Sequence, residues 1–340
     1  MKVTMKDIAD RLGISINAVS LALNNRPGVG DEMRRKILRV AEETGYLQKK
    51  SKYVRTFMRT NLCVMMQRIY AGDMNFYGRV LYAVSQEAGR YGYDVIMSFF
   101  DETDMQPPSC VAEHRVSGII IIGKMGDENI DRLQSYHIPL VVVDHASLRR
   151  PLNCIVTDNK LGGFIQTQYL LDKGFKRLGY FGDLRYSLSI KERHFGFREA
   201  VAQSGLTDDE EAYVRQYSVT AAGVEQAVLD DDKRVGLRLL QGMEELPEAF
   251  VCSNDKAALY LVRVLRDLQV RVPEDVSVVG FDDIDLAQRV TPKLTTVRVD
   301  KEDMGARAVQ RIRYLISHRE SGPETVIMPV SLIERNSVSK

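Results

Sequence analysis

The chain has 340 residues, about two domains' worth at roughly 150 residues each. Its 44% hydrophobic and 27% charged residues are those of a globular protein and exclude gross disorder and fibrous repeats. The net charge of +1 conceals an asymmetry: residues 1–60 carry 13 Lys/Arg against 6 Asp/Glu, a balance of +7, and the remainder stands at −6. A basic end on an acidic body is the layout of a chain whose end meets a polyanion.

Cys63, Cys110, Cys154 and Cys252 lie far apart, each in or beside an apolar run, which reads as buried free thiols in a reducing compartment. There is no Cys-x-x-Cys and no zinc spacing among the five histidines, so no metal is expected. No run approaches the roughly 18 apolar residues of a membrane span. Met1 to Ile8 lacks the apolar core of a signal peptide, and a cytoplasmic protein with no membrane partner is expected.

In chain order, the first 47 residues predict short helices joined by tight turns. Lys6 to Leu12 carries Ile8, Ala9 and Leu12 at helical spacing, and Gly13 ends it. Ser15, an N-cap type, opens a second helix with apolar Ala18, Val19, Ala22 and Leu23. After the turn from Asn24 to Gly28, a longer helix sets Met33, Ile37, Leu38, Val40 and Ala41 opposite Arg34, Arg35 and Arg39. Two short helices linked through a glycine form a helix-turn-helix, whose second helix fits the major groove.

From Leu62 the pattern changes. Apolar runs of four to six residues (Leu62 to Met66, Tyr93 to Met97, Gly118 to Ile122, Leu140 to Val143, Leu178 to Phe181, Ala249 to Cys252, Val276 to Val279) alternate with amphipathic stretches such as Phe76 to Tyr91 and Lys160 to Lys173. Continuous apolar strands alternating with helices predict parallel sheets covered on both faces. The length calls for two such α/β lobes. Asp208 to Glu211 and Asp230 to Asp232 read as solvated loops.

Val3-Thr4-Met5-Lys6-Asp7-Ile8-Ala9, Gly13-Ile14-Ser15, Val19-Ser20, Leu23-Asn24, Val29 and Gly45-Tyr46 resemble, in order and spacing, the headpiece of the lactose-repressor (LacI/GalR) family. Val272 to Asp283 and Pro292 to Val297 resemble the same family's body, as do Val156 to Asn159, Gly174 to Leu178 and Cys252 to Asp255. The implied organisation is a headpiece at residues 1–48, a hinge at 49–61, and a two-lobed, periplasmic-binding-protein-like effector and dimerisation domain at 62–340. The expected lobes are about 62–157 with 287–318, and about 158–286 with 319–335.

The resemblance implies DNA contacts by Thr4, Met5, Ser15, Ile16, Asn17, Ser20, Leu21 and Asn24, with Ser15 to Asn24 as the recognition helix. Thr4 and Ser15 would bond phosphates, and Asn17 can present its amide to adenine. Leu21 stands where the family commonly has Arg, and Ala18 where it commonly has Thr. The missing Arg removes a guanine contact worth about 1–3 kcal/mol, and contact with a thymine methyl is one substitute. The bland reading of Ile16 and Leu21 is packing against the first helix. In the hinge, the family's minor-groove wedge falls on Arg55 in strict register. A two-residue shift aligns Val54-Arg55-Thr56-Phe57 with the usual Ala-Arg-Ser-Leu and makes Phe57 the wedge. The alternative is a basic linker that touches phosphates only.

For the effector, the resemblance implies Arg193, Asn254 and Asp282 as the residues that grip a sugar or purine, with Asp144 beside them and Phe76 and Tyr77 as flat contacts. Charge-assisted bonds inside a closing cleft suit a hydroxyl-rich ligand. The family's aromatic before Gly223 is replaced by Ser218, leaving Tyr186 or Tyr217 as substitutes. An enzyme would need His145 or His194 as base, or Asp282-Asp283-Ile284-Asp285 as a metal cluster. No phosphate loop, dinucleotide glycine pattern or nucleophile elbow accompanies them, so neither catalysis nor a cofactor is expected. The expected function is a repressor, a homodimer on double-stranded operator DNA whose affinity is set by a sugar-like small molecule. The rival readings are a cytoplasmic sugar-binding protein without a DNA role and a regulator that answers to a protein corepressor.

Overall fold

The computed structural model describes residues 3–23, 28–44, 46 and 61–339. The segment up to Asn61 and the body beginning at Leu62 are separate compact units. In the first, α1 (Met5–Leu12) opens at a capping box: Thr4 N donates to Asp7 Oδ2 at 2.7 Å, and Asp7 N to Thr4 Oγ1 at 3.4 Å. Gly13, with φ 63°, closes the helix in the left-handed conformation that glycine adopts without strain. Ser15 then caps α2 (Ile16–Leu23), its Oγ accepting from Ala18 N at 3.1 Å.

The third helix, α3 (Asp31–Glu43), completes a small core of Ile8, Ala9, Val19, Ala22, Ile37 and Ala41. Arg34 differs from its expected place on the face opposite that core. Its guanidinium donates, at 3.4 Å each, to the carbonyls of Leu21, Ala22 and Val29. Carbonyls at a helix end have no partner within the helix, so a cation there both bonds them and meets the negative end of the dipole.

The body runs Asn61–Gln67 (β1), Tyr77–Arg90 (α4), Val95–Phe100 (β2), Ser109–Ala112 (α5), Val116–Ile122 (β3), Asp127–Gln134 (α6), Leu140–Val143 (β4) and Cys154–Thr157 (β5). It continues with Asn159–Asp172 (α7), Leu178–Phe181 (β6), Leu188–Ser204 (α8), Glu210–Tyr217 (α9), Val224–Leu229 (α10), Lys233–Gln241 (α11), Ala249–Cys252 (β7) and Asp255–Asp267 (α12). Ser277–Asp282 (β8), Thr295–Val299 (β9), Lys301–Ser317 (α13), Thr325–Met328 (β10) and Val330–Ile333 (β11) end it. The first lobe's sheet has the order β10-β5-β4-β3-β1-β2, and the second lobe's β11-β9-β8-β7-β6. Strand β11 pairs antiparallel with β9, while β6, β7, β8 and β9 pair in parallel. The chain thus has α/β lobes of parallel sheet carrying helices, the class expected from sequence.

The lobe crossings differ from those expected. Strand β9 belongs to the second sheet although the sequence places 287–318 in the first lobe, and β10 belongs to the first although the sequence places 319–335 in the second. Short apolar runs carry no label for the sheet they join, because strand pairing is non-local. The acidic runs also differ from plain loops. Asp209 caps α9, whose first turn holds Glu210 and Glu211, and Asp232 caps α11, so these carboxylates sit where helix dipoles favour them.

Each lobe has its own core. The first is built on Met65, Ile119, Ile121 and Val142, and the second on Phe181, Phe250, Tyr260 and Val278 on one face of its sheet and Tyr180, Phe197 and Val251 on the other. Cys63, Cys110, Cys154 and Cys252 are buried free thiols, as expected. Among the described residues no helix is long and apolar enough to cross a membrane.

Candidate functional site

A cleft between the lobes is lined by the segments that follow the carboxyl ends of β1, β3, β4, β6, β7 and β8, with Asn159 after β5. That is where open α/β sheets place ligands, because strand ends and helix N-termini converge there. The cavity encloses about 140 Å³. One water needs roughly 10–15 Å³, so the space suits a small molecule rather than a single solvent molecule or ion.

On the first lobe, Phe76 and Tyr77 begin α4. The Tyr77 ring lies 4.8 Å from Tyr70 and stands edge-on to Phe76 at 5.0 Å. Its hydroxyl donates to Asp144 Oδ2 at 2.9 Å. Asp144, just past β4, has φ 59°, a left-handed conformation uncommon outside glycine. Burial pushes its carboxyl up to about 6, against the opposing pull of Arg193 and Tyr77. All four of these residues line the cleft.

On the second lobe, Arg193 sits on α8 and is 4% exposed. Its Nε donates to Asn159 Oδ1 at 2.9 Å and its Nη1 to the Ser253 carbonyl at 2.6 Å. The guanidinium lies 3.7 Å over the Phe281 ring, with Nη2 3.5 Å from Asp282 Oδ1. Arg193 and Asp282 therefore pair within the second lobe rather than across the cleft. Two glycines set α8 in place: a Cβ at Gly163 would overlap the Arg193 carbonyl, and one at Gly196 the Lys160 carbonyl. Helices α7 and α8 approach closely only because those positions lack side chains.

Asp282 ends β8 with φ 113°, and burial raises its carboxyl to about 7 in spite of Arg193 and Lys301. Its buried Oδ1 has no hydrogen-bond partner. The neighbouring Asp283 behaves oppositely. Although burial works against it, Arg335 at 2.5 Å and Arg298 at 2.7 Å hold its carboxyl below the usual range. Asp283 is thus the structural member of the pair. Asn254 caps α12, accepting from Ala257 N at 2.8 Å, and donates to Glu225 Oε2 at 3.2 Å. Glu225 also accepts from Ser253 Oγ at 2.6 Å, and burial raises its carboxyl.

The lobes touch across the cleft. Lys256 Nζ stands 2.8 Å from Asp73 Oδ2, Lys124 Nζ donates to the Tyr186 carbonyl at 3.4 Å, and Arg79 meets Asp285 at 2.8 Å. Phe76, Tyr77, Asp144, Arg193, Asn254 and Asp282, expected from sequence, all line this one cavity. Sequence reasoning missed Asp73, Glu225 and Lys256. Lys256 directly follows the Cys252–Asp255 motif, but the other two stand outside any motif. Of the substitute aromatics, Tyr186 lines the cleft and Tyr217 is buried in the second lobe's core.

His194 packs between Tyr180 and Phe197, and burial lowers its pKa to about 4. It stands apart from the residues that line the cleft. Among the described residues no group of three or more His, Cys, Asp or Glu is placed to hold a metal ion. Asp283 is engaged by Arg298 and Arg335, and Asp285 by Arg79.

In the N-terminal unit, Thr4, Ser15, Ile16 and Asn17 are exposed, and Ser20 and Leu21 half-buried. Ile16 is 46% exposed and stands outside the core, so packing against α1 does not account for it. Leu21 also lies outside that core and reaches toward Gly28, whereas Met5 packs against the core. Asn24, and Arg55 and Phe57 with the rest of hinge residues 49–60, lie outside the described residues.

A helix-turn-helix unit with an exposed second helix, followed by a two-lobed α/β body with a polar cleft, defines a one-chain regulator. Comparisons agree. Residues 4–48 match the model of bacterial regulatory proteins of the lacI family, and residues 167–338 that of the periplasmic binding protein-like domain. The chain is 25% identical over 345 residues to the HTH-type transcriptional repressor PurR of Mannheimia succiniciproducens, covering 99% of each. It superposes with a TM-score of 0.66 and 21% identity on the transcriptional regulator CelR–cellobiose complex, over 98% of this chain and 99% of that one. The Lac repressor dimer bound to operator and the anti-inducer ONPF gives 0.66 and 21% over both full chains. The chain belongs to the lacI family and is a DNA-binding transcriptional regulator.

Proposed function

We propose that the protein is a repressor that binds a near-palindromic operator as a homodimer and changes its operator affinity when a hydroxyl-rich small molecule, a sugar or sugar derivative, occupies the inter-lobe cleft. The carrying observation is the convergence of Tyr77, Asp144, Arg193 and Asp282 on one cavity flanked by inter-lobe ion pairs. A ligand that bridges both walls favours the closed arrangement of the lobes, and this differential affinity is what can move a second equilibrium. The relative solved with cellobiose supports a sugar. Thr4 and Ser15 take phosphates, Met5 steadies the entry to α1, Ile16, Asn17, Ser20 and Leu21 face base edges, and Asn24 adds a further DNA contact. Arg55 and Phe57 serve as phosphate contact and minor-groove wedge. Exposed Tyr82 on α4 and Phe99 on the edge strand β2 support a subunit contact on the first lobe.

The test has two stages. Selection of duplexes from a random pool by the purified chain yields the operator, whose two half-sites report the dimer. Operator affinity is then measured at fixed salt with and without a panel of sugars. Retention of sequence-specific binding after removal of residues 1–60 would overturn the DNA assignment. An operator affinity indifferent to any cleft-bound sugar would overturn the effector assignment.

A further inference from the structure

We propose that the ligand of the inter-lobe cleft carries a positive charge, as an amino sugar does, and that Asp144 and Asp282, one from each lobe, hold its ammonium group. This deepens the reading of the cleft as the effector site and rests on it. The first observation is the charge lining the cavity: Asp73, Asp144, Glu192, Glu225 and Asp282 against Lys124, Arg193 and Lys256. The cations are already engaged. Lys256 is paired with Asp73, Lys124 reaches the Tyr186 carbonyl, and Arg193 gives Nε and Nη1 to Asn159 and the Ser253 carbonyl.

The second observation concerns which acceptors are left. Glu225 has both oxygens bonded, and Glu192 accepts from Asn159 Nδ2 at 3.2 Å. Asp144 accepts from Tyr77 at Oδ2. Asp282 Oδ1 is buried, makes no hydrogen bond and has only the Arg193 nitrogen at 3.5 Å. Lys301 spends its ammonium on the carbonyls of Asp282, Asp283 and Val299.

A buried acceptor without a donor is unfavourable, and two carboxylates brought together by lobe closure repel. A neutral polyol supplies donors but leaves that repulsion, and a phosphorylated or acidic sugar adds to it. An ammonium supplies three donors and cancels charge in one group. Burial raises both aspartates toward the protonated form even though Arg193 pulls the other way, so a further cation between them is favoured.

Calorimetric titration of the full chain tests this with glucosamine, galactosamine and mannosamine, each against glucose, galactose or mannose, and against glucuronate and glucose 6-phosphate. At least one amine is expected to bind about tenfold or more tightly than its neutral counterpart, a difference of about 1.4 kcal/mol. The two anions are expected not to bind. In Asp282→Asn and Asp144→Asn that preference should fall below about threefold. The ligand-free melting temperature of Asp282→Asn should hold or rise, which separates lost binding from lost folding.

The assignment is overturned if a neutral or anionic sugar binds as tightly as its amine, if amine binding is unchanged in both Asn variants, or if no amine binds. A neutral sugar whose binding is lost in Arg193→Ala ends the charge assignment and leaves the effector site standing. Amine binding that survives Arg193→Ala and leaves operator affinity unchanged would instead defeat the effector reading itself.

Discussion

Asp73 Oδ2 and Lys256 Nζ stand 2.8 Å apart, one on each lobe, and tie the lip of the cleft. Partly exposed ion pairs contribute about 0–1 kcal/mol, so this one biases closure without locking it. Lys256→Ala should therefore speed amide exchange in the Asp73–Tyr77 segment by up to about fivefold, with the global melting temperature unchanged. Exchange confined to other segments would mean that the pair does not report closure.

The recognition helix makes two separable predictions. Asn17→Ala should relax base preference at one operator position at a cost of about 1–3 kcal/mol, and Leu21→Arg should shift preference toward guanine at another. Binding to a mutated-operator series reads both. A uniform loss across all sequences with a shallower salt slope would make Asn17 a phosphate contact.

Arg34 acts on the same helix from behind. Its bonds to Leu21 and Ala22 hold the end of α2. Arg34→Ala should destabilise the headpiece by about 1 kcal/mol and weaken all operators alike. A change in base preference would show that Arg34 itself reads DNA.

Gly163 lies against the Arg193 carbonyl, where a methyl group has no space. Gly163→Ala should push α8 off α7, cost about 1–3 kcal/mol in stability, and blunt the effector response through misplaced Arg193. Calorimetry and operator titration check the two parts. A response lost with no change in melting temperature would contradict the packing argument.

Stability should depend on pH in a defined direction. Burial raises Asp144 to about 6 and Asp282 to about 7, above the ordinary 3.8. Around Asp282 stand Arg193 and Lys301 on the favourable side and Asp73, Asp144 and Asp255 on the other. Between pH 4 and 7 the folded state holds protons that the unfolded chain has released, so ligand-free stability should fall as pH rises through that window. Asp282→Asn should recover of order 2–4 kcal/mol at pH 8 and little at pH 4 in scanning calorimetry. A variant less stable than the parent at pH 8 would make the Arg193–Asp282 pair a net stabilising contact.

Much of the site is legible before folding because its members are local. The Val272–Asp283 and Cys252–Asp255 stretches include the carboxyl ends of β8 and β7, and Tyr77 opens the helix that follows β1, where α/β architecture places ligands. Asp73, Glu225 and Lys256 are invisible in the sequence because their roles depend on partners 28 to 183 positions away. The aspartates at 282 and 283 look equivalent as text, yet one is neutralised by Arg298 and Arg335 and the other faces the cavity.

What the sequence determined by itself was periodicity and punctuation: the glycine-linked helices, the run of buried strands, the basic end and the four buried thiols. These follow from short-range sterics and from apolar spacing, which need no knowledge of distant partners. The tertiary structure alone decided which sheet β9 and β10 join, that Arg34 turns inward to α2, and that Asp282 is left without a donor. Each of those depends on which distant groups the fold brings together to satisfy a charge or a carbonyl, and burial makes an unsatisfied group cost more than most local preferences.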